Sequence, residues 1–85
     1  MEINKINKNF YDNHMTKISK LLTNGWSPEY TVSQLDFRMI IIKPNGEKFS
    51  NLLITEKAVI KLTEKEIHET ISSHLDEALL ELNNK

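Results

Sequence analysis

The segment over residues 37–55, FRMIIIKPNGEKFSNLLIT, constrains the fold of this chain more than any other feature. Its first half is a run of β-branched and large apolar residues, which favours a β-strand. In the turn that follows, Pro44 suits the second position of a type I turn and Asn45 the third, while Gly46 supplies the positive φ that comes next. The sequence therefore predicts an antiparallel β-hairpin.

A three-residue loop of this kind pairs Lys43 with Glu47, and strand alternation then divides the side chains between two faces. One face is predicted to carry Phe37, Met39, Ile41, Phe49 and Leu53. The other is predicted to carry Arg38, Ile40, Ile42, Lys48, Ser50, Leu52 and Ile54. Because two helices cover only one face, the apolar members of the second face need another cover. We expect a short helix, a partner protein or a homodimer contact to cover Ile40, Ile42, Leu52 and Ile54.

Two longer segments have helical periodicity. Residues 3–23 place an apolar stripe on one face, and Gly25 suits the left-handed position that ends a helix. The stripe consists of Ile3, Ile6, Phe10, His14, Ile18 and Leu21. A second helix begins after the capping box formed by Thr63 and Glu66 and runs to about Leu82. Its predicted buried stripe consists of Ile67, Ile71, Leu75, Ala78, Leu79 and Leu82.

These elements predict a small α+β domain that spans residues 1–85, in the order α-β-β-β-α-α. A short strand at residues 30–32 precedes the hairpin. Residues 56–62 favour a short helix capped by Thr55, since no turn residue separates them from the hairpin. The alternative is a third strand of the sheet over residues 57–62, which changes the order to α-β-β-β-α.

The composition points away from several functional classes. The chain has 85 residues and no cysteine, so it offers no disulfide, thiol nucleophile or thiolate metal ligand. No apolar run reaches the length of a signal peptide or membrane span, so we expect a cytoplasmic protein. No serine lies in a Gly-x-Ser-x-Gly elbow and no glycine-rich phosphate loop is present. The sequence therefore predicts neither an enzyme nor a cofactor.

The histidines of the second helix resemble a metal motif only superficially. Zinc-protease helices place two histidines four residues apart, whereas His68 and His74 are six apart. Their rings then point about 120° away from each other around the helix. We expect no metal site, and we expect both rings to be half-buried and hydrogen-bonded to a neighbour. His14 is different, because it lies in the centre of an apolar stripe and needs a buried polar partner.

The most distinctive predicted surface is acidic. Residues 64–85 contain six acids and two lysines, a net charge of −4 in a chain whose total is −1. Five acids fall within an arc of about 140° on the second helix, and Leu80 stands among them unexplained by the core. This set, called here the acidic face, consists of Glu66, Glu69, Asp76, Glu77, Leu80 and Glu81.

The alternative surface is aromatic and basic. Trp26, next to Gly25, is predicted to plug the core beneath a loop, but with neighbouring cations it offers a nucleic-acid-binding patch. That patch consists of Trp26, Tyr30, Arg38, Lys43 and Lys48, joined by the lysines of the first helix. The chain has a single arginine and no basic excess, which argues against duplex binding.

The leading expectation is a non-catalytic protein-binding module whose acidic face docks on a basic surface of another protein. The chain contains 10 Ile, 9 Asn and 10 Lys, together 29 of 85 residues, which is typical of an AT-rich genome. This bias favours a low-GC bacterium, its phages or its mobile elements. An inhibitor or adaptor from such an element, acting against host defence as a nucleic-acid mimic, is the specific form of the hypothesis.

Overall fold

The predicted hairpin forms the centre and one edge of a three-stranded antiparallel sheet of order β1-β2-β3. The computed structural model describes residues 3–32 and 36–84, with side chains over residues 13–31 and 36–84. Its elements are α1 (Ile3–Thr23), β1 (Ser27–Val32), β2 (Asp36–Ile42), β3 (Lys48–Thr55), α2 (Glu56–Lys61) and α3 (Glu64–Asn83). The α+β class and the order α-β-β-β-α-α are confirmed.

The end of α1 is set by Gly25, as the sequence predicts. Its φ is 86°, and its N–H donates to the Leu22 carbonyl at 3.1 Å. The Trp26 N–H donates to the Leu21 carbonyl at 3.0 Å, which completes a Schellman motif. The motif reverses the chain sharply, so that Trp26 enters the core directly before β1.

β1 is longer than predicted, because it begins at Ser27 rather than Tyr30. It includes Pro28, which a strand tolerates at the edge of a sheet, where half of the backbone groups need no ladder partner. Residues 57–62 do not form the alternative third strand, since Glu56–Lys61 is helical. The Thr55 hydroxyl accepts a hydrogen bond from the Ala58 N–H at 3.4 Å and caps this short helix.

The start of α3 shows the predicted capping box. The Glu66 N–H donates to the Thr63 hydroxyl at 3.1 Å, and the Thr63 N–H donates back to the Glu66 carboxylate at 3.0 Å. Two backbone donors that the first helical turn leaves open are thereby satisfied. This closed cap fixes the position at which α3 starts.

The turn of the hairpin also has the predicted geometry. The Lys43 N–H donates to the Glu47 carbonyl at 2.8 Å, and the Gly46 N–H donates to the Lys43 carbonyl at 2.9 Å. Gly46 has a φ of 89°, a value that residues other than glycine rarely adopt. The Asn45 side chain accepts from the Glu47 N–H at 2.9 Å and stabilises the loop.

The pairing beyond the turn differs from the prediction by one residue. Ile42 pairs with Lys48, but Ile41 pairs with Ser50, so Phe49 is an additional residue in β3. Such a β-bulge places two residues of one strand opposite one residue of its partner. Because side chains alternate with a period of two, every later side chain of β3 moves to the opposite face.

The predicted division of the hairpin into two faces is therefore wrong for β3. Leu52 and Ile54 are buried in the core, while Leu53 is 46% exposed on the outer face. The predicted homodimer surface of Ile40, Ile42, Leu52 and Ile54 does not exist as one face. Ile40 and Ile42 remain half-buried on the outer face, which they share with Leu53.

The core lies between one face of the sheet and the two long helices. Contacts advance along both helices in the same direction, from His14 with His68 to Lys17 with Asp76, so α1 and α3 run parallel. The predicted stripe members Ile3, Ile6 and Phe10 have side chains outside the described ranges. The buried apolar residues are Ile18, Leu21, Trp26, Phe37, Met39, Ile41, Leu52, Ile54, Val59, Ile67, Ile71, Leu75 and Ala78. Leu79 and Leu82 of the predicted α3 stripe are half-buried against them.

Within the described ranges, no helix combines the length and apolar character that crossing a membrane requires.

Candidate functional site: the acidic face and a buried histidine pair

The acidic face lies on the side of α3 that points away from the sheet. Glu69, Asp76 and Glu77 are exposed, as the sequence predicts. Leu80 is 63% exposed, so a large apolar side chain stands in solvent among carboxylates. The opposite side of α3 is buried against the sheet, which holds these groups on a rigid helix.

Three acids of this face are engaged within the protein. The Asp76 carboxylate lies 2.7 Å from the Lys17 Nζ of α1, and Lys17 also donates to the Ser72 hydroxyl. The Glu81 carboxylate is 3.9 Å from the Lys43 Nζ.

The third engaged acid, Glu66, serves the capping box. Hydrogen bonds from the backbone N–H and then the hydroxyl of Thr63 lower the pKa of its carboxyl.

The remaining acids of this face are Glu69 and Glu77. Among the described side chains, no basic nitrogen lies within 4.0 Å of either carboxylate. The two carboxylates and Leu80 are thus the members of the acidic face that are left for an external contact.

The structure does not assemble the alternative nucleic-acid patch. Trp26 is only 2% exposed and packs edge-on against Phe49 with ring centroids 5.3 Å apart. It is therefore a core residue, as the sequence predicted first, and its buried ring presents no exposed face for stacking on a base. Tyr30 stacks on Phe37 at 6.0 Å and packs against the core.

The basic members of that patch are also separated. Arg38 is exposed on the outer face of the sheet, because its neighbours in β2 point into the core. Lys43 lies 5.5 Å above the Phe49 ring and beside Glu81, and Lys48 is exposed at the start of β3. Among the described side chains, these positions do not form a continuous aromatic and cationic surface.

The second notable site is a pair of histidines between α1 and α3. His14 is 2% exposed and His68 is 9% exposed. The Nε2 atom of His14 lies 2.9 Å from the Nδ1 atom of His68, and the ring centroids are 5.1 Å apart. The predicted burial of His14 beside a polar partner is confirmed, whereas His68 is more deeply buried than predicted.

Burial governs the protonation of both rings. Desolvation, reinforced by His68 and then by Lys17, lowers the pKa of His14 from 6.5 to about 4. Desolvation also lowers the pKa of His68, while the Glu64 carboxylate opposes this shift. Both imidazoles are therefore neutral at pH 7, and one ring N–H donates to the lone pair of the other ring.

A cavity of about 450 Å³ opens beside this pair on the α1–α3 surface. Its lining consists of Asn13, His14, Glu64, Lys65, His68, Glu69 and Ser72. The Nε2 atom of His68 is buried and finds no hydrogen-bond partner among the described residues. Two carboxylates and one ammonium group line the same cavity, which leaves one negative charge in excess.

The third histidine lies in a separate environment. His74 is half-buried, and its Nδ1 atom is 2.8 Å from the hydroxyl of Ser50 in β3. The predicted half-burial and hydrogen bond of His74 are confirmed. Over residues 13–31 and 36–84, no three His, Asp or Glu side chains lie close enough together to hold a metal ion.

Sequence reasoning predicted a polar partner for His14 but did not identify it. The sequence feature that could have identified it is the position of His68 at the edge of the buried stripe of α3, on the side that faces another helix. The pairing of Lys17 with Asp76 was also missed, because it depends on α1 and α3 running parallel. Comparisons with protein-family models, with curated proteins and with solved structures found no match for this chain.

Proposed function

We propose that this protein is a small, non-catalytic binding module whose acidic face docks on a basic surface of another protein. One observation carries the proposal: Leu80 is 63% exposed on a helix where Glu69 and Glu77 are exposed and lack a described cation. Protein interfaces commonly combine an apolar centre with a polar, solvent-accessible rim, and Leu80 among these carboxylates has that arrangement.

The charges and the leucine have different roles in this proposal. Glu69 and Glu77 attract a basic surface over several ångströms, so they speed the encounter and orient the two proteins. Leu80 enters an apolar recess of the partner and slows dissociation, because its burial removes apolar surface from water. The buried side of α3 keeps these groups at fixed separations, which limits the entropy lost on binding.

The specific form of the proposal is an inhibitor or adaptor from a phage or mobile element, acting in the cytoplasm. A row of carboxylates on a rigid helix offers negative charges to a channel that otherwise binds phosphates. The protein then blocks a nucleic-acid-binding host protein by occupying its surface. The Ile, Asn and Lys bias of the chain supports this source.

Affinity purification tests the proposal. The immobilised protein is exposed to a low-GC bacterial lysate, and the retained proteins are identified by mass spectrometry. The bait variant Glu69→Gln/Glu77→Gln is compared with Glu29→Gln/Glu47→Gln, which removes the same charge from exposed sites in β1 and the hairpin turn. We expect a nucleic-acid-binding protein to be retained by the wild type and the control, and lost from the first variant.

Kinetics with the captured partner then separate the two roles. We expect Glu69→Gln/Glu77→Gln to slow association by about tenfold at low salt. Leu80→Ala should mainly speed dissociation. Association and dissociation rates that match the control for both variants would rule out this face as the contact. Direct, salt-sensitive binding of bare DNA or RNA would favour a nucleic-acid-binding protein instead.

A further inference from the structure

The contact between α1 and α3 has an unusual composition at one level. Towards the C-terminal end of α1, Ile18 and Leu21 are buried apolar side chains, and Lys17 contacts Ser72 and Asp76. At the level of His14, the contact consists of two imidazole rings joined through their nitrogens. An apolar pair at this position would pack without any dependence on protons.

We propose that His14 and His68 form a proton-operated latch that holds α1 against α3 when both rings are neutral and releases it on acidification. The latch depends on how many protons the pair carries. A hydrogen bond between two ring nitrogens needs one N–H donor and one lone pair. Two imidazolium rings have no lone pair, so they would place two donors and two positive charges 2.9 Å apart.

The surroundings set the order in which protons arrive. His68 borders the cavity and has Glu64 nearby, so it accepts the first proton at its Nε2 atom. Its Nδ1–H then still donates to His14, and the latch holds. The second proton must go to His14, which is more deeply buried and lies near Lys17. That step breaks the hydrogen bond and separates the rings.

Other charged groups around the pair do not remove this sensitivity. Lys17 on α1 lowers the pKa of His14, whereas Glu64 on α3 opposes the lowering of the pKa of His68. Lys65 and Glu69 on α3 also line the adjoining cavity. Desolvation by burial is the largest cause of both pKa shifts.

The pH range follows from the shift of His14. Its pKa is about 4 in the folded protein and 6.5 when the ring is solvated. The open form therefore binds more protons between these values, so opening is favoured as the pH falls from 6.5 towards 4. At pH 5 the opening equilibrium constant should be about 30-fold larger than at pH 7.5. His68 acts in the same direction.

Amide hydrogen exchange followed by NMR tests the latch. We expect protection factors in α1, corrected for intrinsic exchange, to fall about 30-fold between pH 7.5 and pH 5. Those of the buried strand β2 should change several-fold less, because β2 keeps its contacts with β1, β3 and α3. Equal losses in α1 and β2 would show a general destabilisation and overturn the proposal.

Two further measurements keep the test independent of any single variant. The double variant His14→Leu/His68→Leu should lose the pH dependence of α1 protection, whereas His74→Gln should retain it. If the double variant does not fold, ring titration of labelled histidines in the wild type decides the question. Titration of the His14 ring near pH 6.5 would overturn the latch. A His14 ring that remains neutral below pH 5 would support it.

Discussion

At the scale of single residues, His14 is a polar ring at the centre of an apolar stripe. Such a ring requires a buried partner, because an unsatisfied buried nitrogen is costly. His68 is that partner, although it lies 54 residues away in the sequence, and the two rings meet because α1 and α3 pack side by side.

The substitution His14→Leu tests the energetic role of the pair. It removes the hydrogen bond and leaves the Nδ1 atom of His68 buried without a partner. We expect the free energy of unfolding at pH 7.5 to fall by about 1–3 kcal/mol, measured by urea denaturation. The double variant His14→Leu/His68→Leu should recover most of the loss, since both polar groups are then absent. A higher melting temperature for His14→Leu alone would contradict this account.

The histidines also carry a prediction about metals. His68 faces His14 on one flank of α3, whereas His74 faces Ser50 on the other, so the two rings cannot share an ion. We expect protein purified without chelator to contain far less than one equivalent of zinc by elemental analysis. One equivalent that survives dialysis would show that this reading of the spacing is wrong.

At the scale of elements, the caps and turns were predictable and one strand register was not. Gly25, Thr63 and Gly46 act through local geometry, which a few neighbouring residues determine. The bulge at Phe49 has no comparable local signature. It is favoured by the whole core, because shifting β3 by one residue buries Leu52 and Ile54 beneath the helices.

The turn can be tested separately from the core. Gly46 has a φ of 89°, and a Cβ added there would meet no atom within 4 Å. Gly46→Ala therefore introduces backbone strain without a steric clash. We expect it to lower the free energy of unfolding by about 1 kcal/mol, measured by urea denaturation. Glu47→Ala, in the same exposed loop, is the control and should have little effect. Equal stability of Gly46→Ala and wild type would show that the turn carries no such strain.

At the scale of the whole molecule, two helices cover one face of the sheet. Antiparallel sheets commonly leave their second face in water, so the outer face of Arg38, Ile40 and Leu53 does not by itself require a partner. The bulge reduces this face by sending Leu52 and Ile54 inward. The acidic face was predictable as an exposed set from helical periodicity alone. Its division into engaged and unengaged carboxylates depended on where α1 and the hairpin place Lys17 and Lys43.

That division changes what the removal of acidic charge should do to stability. Asp76→Asn breaks the contact with Lys17, so it should lower the free energy of unfolding by up to about 1 kcal/mol. Glu69→Gln/Glu77→Gln breaks no described contact, and Gln has nearly the same helix propensity as Glu. We therefore expect its melting temperature, measured by circular dichroism, to equal or slightly exceed that of the wild type. A clear decrease would mean that these two carboxylates stabilise the fold, and a solvated structural face would then explain them without a partner.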